Sequence, residues 1–171
     1  RVSKILCLDA KITDARGLFK MSPELLFSRG RFAFECQYYY MNVARKNGLH
    51  RYTAQGAYGM FRTLLIGSRY QYSDSDCGLA TPSPHSLELC LGYNYTDAND
   101  KKADIYGGKL NDVNCTLNYY INKYMIVRLR YSYTSVRDRY FPSVDENGTT
   151  FNTVTPNRHV NLLEARLQVI F

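Results

Sequence analysis

The sequence lacks tryptophan and any long apolar run, although 45% of its 171 residues are hydrophobic. Its longest apolar stretches, such as Leu64-Leu65-Ile66, are interrupted within a few positions. A transmembrane helix needs about 20 consecutive apolar residues, so the sequence excludes a helical membrane span. It does not exclude a membrane β-barrel, whose strands alternate apolar and polar residues. The aromatic residues are 16 tyrosines and 8 phenylalanines.

The sequence also lacks a basic run, despite a net charge of +7. Its 22 lysines and arginines are scattered singly, whereas nucleic-acid binding proteins concentrate such residues on one patch or helix. We therefore expect no nucleic-acid partner. Positive charge spread along strands suits a lumen that attracts anions, because a low-dielectric wall raises the local anion concentration.

Motifs for metals and catalysis are missing as well. The 5 cysteines are far apart without a CxxC pair, and the acidic residues of 74–76 and 97–100 do not continue into a calcium loop. His50, His85 and His159 have no Ser and Asp partner at a recognisable motif spacing. The sequence therefore predicts no cofactor and no metal, and it does not favour an enzyme.

Alternation with a period of two residues is the clearest positive signal. In the last nine residues, Leu163, Ala165, Leu167, Val169 and Phe171 form one face of a strand, and the intervening residues are mostly polar. The segments 31–42, 86–95, 114–121 and 126–134 repeat this pattern, and Asn122-Lys123 predicts a tight hairpin turn. Less regular strands are expected at 4–11, 20–28 and 52–67.

These patterns predict an all-β, antiparallel fold of about eight strands in one domain, 1–171. Short turns are expected at 28–30 and 122–123, and long polar loops at 96–110 and 135–158. Outer-membrane barrels show this asymmetry between their two ends. A soluble barrel has the same period, but tyrosines gather at the strand ends here, as in 38–40, which favours the interfacial belt of a transmembrane β-barrel.

A family resemblance rests on an ordered set of segments. They are Pro23-Glu24-Leu25, Gly30-Arg31-Phe32, Glu35-Cys36-Gln37-Tyr38-Tyr39, Ser86-Leu87-Glu88-Leu89, Gly92 to Asp97, Gly107-Gly108, Leu117 to Asn122 and Arg130 to Tyr133. This order resembles the phosphate-selective (polyphosphate) porin O and P family, in a form typical of Bacteroides-like bacteria. The resemblance implies a sixteen-stranded, trimeric outer-membrane barrel, of which this sequence is the carboxy-terminal half. It also implies that the loops that constrict the pore come largely from the other half.

The candidate functional residues are three arginines on the predicted polar faces of the last two strands, Arg128, Arg130 and Arg166. Guanidinium groups stay charged and offer planar donors that match phosphate oxygens, so they could solvate a passing anion. The alternative is that these arginines pair with Glu164 and Glu88 on the wall. The ending with Leu167, Val169 and Phe171 resembles the signal that the barrel-assembly machinery recognises.

The leading functional hypothesis is a water-filled porin for passive diffusion of anions such as phosphate or polyphosphate. Its partners would be the lipid bilayer, lipopolysaccharide, the barrel-assembly machinery, inorganic anions and, in a homotrimer, further copies of the chain. Two alternatives stay open: a small eight-stranded barrel with a structural or adhesive role and little conductance, and an outer-membrane hydrolase or acyltransferase.

Overall fold

A computed structural model of the chain describes residues 8, 10–75, 77–144, 150–154 and 157–169, with the backbone alone in 141–144 and 150–154. This part of the chain forms eleven strands. They are β1 (Ala15–Met21), β2 (Glu24–Arg29), β3 (Phe32–Arg45), β4 (Tyr52–Ile66), β5 (Tyr72–Ser73), β6 (Gly78–Leu79), β7 (Ser86–Asp100), β8 (Ile105–Asn122), β9 (Met125–Val144), β10 (Thr150–Val154) and β11 (Arg158–Val169). No helix among the described residues is long and apolar enough to cross a membrane.

Nine of the strands form one antiparallel sheet that follows the chain order. Its central strands are β3, β4, β7, β8 and β9. At one edge, β1 and β2 pair with successive parts of β3, and at the other edge β11 and β10 pair with successive parts of β9. The predicted all-β antiparallel fold is confirmed. The sheet does not close on itself within the described residues.

The sheet is inverted relative to that of a soluble protein, because its polar side chains are buried and its apolar ones are exposed. In β8, Asn114 and Asn118 are each 4% exposed. Val113, which lies between the buried residues Asp112 and Asn114, is 54% exposed. Leu91 of β7 and Leu129 of β9 are 47% and 48% exposed. We call the side that carries Asn114 and Asn118 the polar face, and the side that carries Leu91 and Leu129 the apolar face.

Several segments expected as loops are continuations of strands. β7 extends to Asp100 and β8 starts at Ile105, so most of the predicted 96–110 loop is a hairpin with a turn at 101–104. β9 likewise continues to Val144, into the predicted 135–158 loop. These stretches are polar because they extend beyond the apolar band, and polarity alone does not distinguish such a hairpin from a loop. The expected strand 4–11 falls partly outside the described residues, and Leu8, Ala10 and Lys11 are not in a strand.

The turns at the opposite end of the sheet are short, with one exception. Gly30, at a φ of 59°, lies in the tight turn between β2 and β3. β8 and β9 are joined through Lys123 and Tyr124, which confirms the predicted hairpin. The exception is the connection 67–85 between β4 and β7, which contains the two-residue strands β5 and β6.

Candidate functional site

The apolar face carries a continuous band of aliphatic and aromatic side chains. Phe32 of β3 stacks on Phe61 of β4 with ring centroids 6.0 Å apart, and a Cβ added at Gly59 of β4 would lie 3.9 Å from the Phe34 ring. Along β7 the apolar positions 87–93 extend for about 20 Å, at about 3.4 Å per residue. A soluble monomer rarely exposes so large an apolar patch, whereas the lipid-facing side of an outer-membrane barrel is an apolar band.

Tyrosines border this band at the end of the sheet where the long hairpins project. Their hydroxyl groups hydrogen-bond to polar side chains further along the neighbouring strands. The pairs are Tyr38 with Gln55 at 3.0 Å, Tyr93 with Asn111 at 2.7 Å, Tyr131 with Asn161 at 2.8 Å and Tyr133 with His159 at 2.8 Å. An aromatic ring toward the apolar band and a hydroxyl toward polar groups is the arrangement of interfacial tyrosines in membrane proteins. The row agrees with the predicted interfacial belt.

The polar face brings together the three predicted arginines on adjacent strands. In the antiparallel register, Arg128 of β9 lies opposite Arg166 of β11 on one side and Asn118 of β8 on the other. Arg130 lies opposite Glu164 and Thr116. The expectation that the three arginines share one face is therefore consistent with the strand register.

A fourth arginine on this face, Arg62 of β4, was not among the residues predicted from the sequence. It lies opposite Cys90 of β7, which in turn lies opposite Thr116 of β8. Arg62 borders the same cavity as Arg128 and Arg130. The inward positions of β4 mix Tyr58, Met60, Arg62 and Leu64, so this strand has no clean polar alternation that could have revealed the arginine.

The arginines differ in the groups that hold them. Arg62 forms an ion pair with Glu35 at 3.0 Å, and Arg130 approaches Asp112 at 3.9 Å. Arg128 instead donates from Nε to the neutral amide oxygen of Asn118 at 2.7 Å. The alternative prediction was that these arginines pair with Glu164 and Glu88. None of the ion pairs among the described residues joins Arg128, Arg130 or Arg166 to either glutamate.

Asp112 of β8 organises the polar groups around Arg130. Its carboxylate accepts hydrogen bonds from Thr134 at 2.7 Å, from Asn94 at 2.9 Å and from Asn114 at 3.0 Å. Asp112 is buried, with only 8% of the residue exposed. A buried charge needs such partners, so Asp112 is satisfied by the wall itself and offers little free negative charge to the space above it.

Two segments of the chain itself lie over the polar face, one near each end. At the hairpin end, Ala10 and Ile12 pack against the buried cluster that contains Val43 and Tyr52, and Arg45 donates to the Thr13 carbonyl at 3.1 Å. At the turn end, Tyr70 and Leu79 of the connection 67–85 pack in a cluster with Ala33 of β3 and Leu64 of β4. That the constricting loops come largely from the other half of the protein stays a prediction.

The remaining predicted residues lie away from this cluster. Leu167 and Val169 of the expected assembly signal are on the apolar face, 60% and 44% exposed, and Phe171 lies outside the described residues. His159 contacts Tyr133 at the hairpin end. Within the described part of the chain, no group of three or more His, Cys, Asp or Glu side chains could hold a metal ion.

An antiparallel sheet with an exposed apolar face, a tyrosine border and a charged polar face is typical of the wall of an outer-membrane β-barrel. The family model of the phosphate-selective porins O and P matches residues 6–171. The chain belongs to this porin family, which implies an outer-membrane channel rather than an enzyme. No curated protein matches the chain.

Proposed function

We propose that the polar face of this sheet lines a water-filled pore through which inorganic anions such as phosphate or polyphosphate diffuse passively. The observation that carries the proposal is the register pair Arg128 and Arg166, two guanidinium groups opposite each other on the polar face. Neither forms an ion pair among the described residues. Like charges placed opposite each other are unfavourable unless an anion or water solvates them.

The wall supplies the chemistry that an anion needs when it loses part of its hydration. Arg62, Arg128 and Arg130 border one cavity together with the amides of Asn114 and Asn118. Guanidinium and amide N–H groups donate hydrogen bonds to oxyanions, and the mobile anion is released again because several weak sites lie in sequence. The surplus of positive charge on the chain would add long-range attraction at the pore mouth.

The proposal includes further strands that complete the barrel. The outer edges of β1, β2 and β11 have no strand partner within the described residues. Unpaired backbone groups are costly in lipid, so we expect additional strands to pair with both edges. We propose, from the family resemblance, a barrel of sixteen strands in a homotrimer, with lipopolysaccharide around it and the assembly machinery acting on β11.

A second candidate function is a structural barrel with little conductance. Segments 10–12 and 67–85 fill part of the space over the polar face, and a narrow interior packed by side chains would conduct poorly. Conductance of the purified protein separates the two candidates.

The test is inhibition of chloride current by phosphate in a planar bilayer that contains the full gene product. The anion pathway predicts stepwise conductance in KCl that falls as phosphate is added, because phosphate occupies the arginine sites longer than chloride. A chloride current that is insensitive to phosphate would contradict a phosphate path. A folded barrel without conductance would favour the structural candidate.

A further inference from the structure

Glu88 of β7 is a buried carboxylate of the proposed pore wall, near the turn end of the sheet. It is 1% exposed and borders the same cavity as Arg62 and Arg128. A bare carboxylate at this position would repel the anions that the arginines attract. The groups that surround Glu88 therefore matter for ion selectivity.

Three donors engage the two oxygens of this carboxylate. Tyr70 donates its hydroxyl to Oε1 at 2.8 Å, and Tyr120 and the Asn118 amide both donate to Oε2 at 2.8 Å. An ionised carboxylate only accepts hydrogen bonds, so three donors on two oxygens fit the charged form of Glu88. In that form Glu88 is a negative charge within the wall.

Tyr70 differs from the other two donors because it does not belong to a strand of the wall. It lies in the connection 67–85, which leaves β4 at Gly67 and returns to β7. Gly67 has a φ of 132°, and a Cβ there would lie 2.8 Å from Ser86 Oγ, so the path into the pore depends on glycine.

The position of Tyr70 is fixed by backbone and apolar contacts as well as by its hydroxyl. Its N–H donates to the Gly30 carbonyl at 2.8 Å. Its ring packs with Ala33 and Leu64, and Leu79 of β6 contacts the same cluster. Tyr70 is 7% exposed. The connection is therefore seated on the polar face.

We propose that Tyr70, carried by the connection 67–85, covers the carboxylate of Glu88 on the pore side and keeps its negative charge out of the anion path. This inference rests on the proposed porin function and deepens it. Tyr70 is a positioning residue that does not bind the anion. It determines selectivity because it donates a hydrogen bond to the carboxylate and separates this negative charge from the passing ion.

The experiment measures reversal potentials in a KCl gradient for the full gene product and four variants. Tyr70→Ala should shift the reversal potential toward zero or toward cation preference, because Glu88 becomes exposed. The double variant Tyr70→Ala with Glu88→Gln has the same widened pore but lacks the negative charge of Glu88. It should therefore return to wild-type selectivity. Glu88→Gln alone should leave selectivity near wild type, because the charge was already covered.

Tyr72→Ala is the matched control, since Tyr72 lies in the same connection and is 59% exposed. It should leave the reversal potential unchanged. If Tyr70→Ala fails to fold, Tyr70→Phe replaces it, keeps the ring and removes one hydrogen bond, and should shift the reversal potential in the same direction by less.

Two results would overturn the inference. One is an anion-selective wild type whose selectivity is unchanged by both Tyr70 variants. The other is a selectivity loss in Tyr70→Ala that Glu88→Gln does not reverse, which would assign the effect to pore width. A wild-type protein without anion preference would instead contradict the proposed function itself.

Discussion

Arg166 of β11 lies directly opposite Arg128 of β9 in the antiparallel register, on the polar face of the sheet. Two residues along each strand, Arg130 lies opposite Glu164, and opposite charges in such cross-strand positions attract each other. The Arg128 and Arg166 pair lacks that compensation, and the Arg128 Nε–H donates to the neutral amide of Asn118. Two like charges in opposite positions destabilise the sheet. In the proposed pore, an anion between the two guanidinium groups would offset this repulsion.

Replacing this pair should weaken anion preference. In the double variant Arg128→Gln with Arg166→Gln, the anion-to-cation permeability ratio should fall by a factor on the order of two to ten, because wall charges concentrate counter-ions. The control is Lys101→Gln with Lys102→Gln, which removes the same charge from an exposed turn. Equal losses in both double variants would show that total charge, and not this register pair, sets selectivity.

Releasing Arg62 from its carboxylate should strengthen anion binding. Glu35→Gln removes the partner of the 3.0 Å ion pair and leaves the Arg62 guanidinium available to a permeating ion. We expect phosphate to inhibit chloride current at a lower concentration than in wild type. Glu24→Gln is the control, because Glu24 borders the cavity beside Glu35 and Arg62 but forms no ion pair among the described residues. An equal gain in the control would refute a local effect.

Charge on the apolar face should destabilise the barrel. Leu91→Arg places a cation within the band that contacts lipid, at a cost of about 2–4 kcal/mol near the membrane centre. Met60→Arg is the matched control, because Met60 borders the cavity on the polar face. Urea unfolding in phospholipid vesicles measures both. Similar stabilities for the two variants would contradict the assignment of the faces.

The entry of the chain into the pore should depend on Gly67. Gly67→Ala forces a side chain into a left-handed conformation and toward Ser86, at a cost of about 1–3 kcal/mol. A Cβ at Gly17 would meet no atom within 4 Å, so Gly17→Ala should change stability little. Unfolding midpoints compare the two, and proteolysis of the connection 67–85 should increase only in Gly67→Ala. Unchanged proteolysis would show that the position of this connection on the polar face does not depend on a glycine at residue 67.

Much of the wall could be predicted from the sequence, because strict alternation in β7, β8, β9 and β11 assigns each residue to a face. Arg128, Arg130 and Arg166 followed from that pattern. Arg62 did not, since Met60 and Leu64 flank it on the same face of β4. Local periodicity carries no information about such a mixed face.

The position of the connection 67–85 over the polar face could not be predicted, for a different reason. The composition of 73–84, rich in Ser, Pro and Asp, is typical of an exposed loop. The connection is held on the polar face by the contact between Tyr70 and Glu88, which are 18 residues apart in the sequence. Such a contact is created by the fold and has no signature in the local sequence.

The central claim is that the polar face lines an anion-conducting pore, and the reversal potential of the full gene product in a planar bilayer under a KCl gradient tests it most directly. The account predicts stepwise conductance with a reversal potential near the chloride equilibrium potential. A reversal potential at zero or near the potassium equilibrium potential would contradict it.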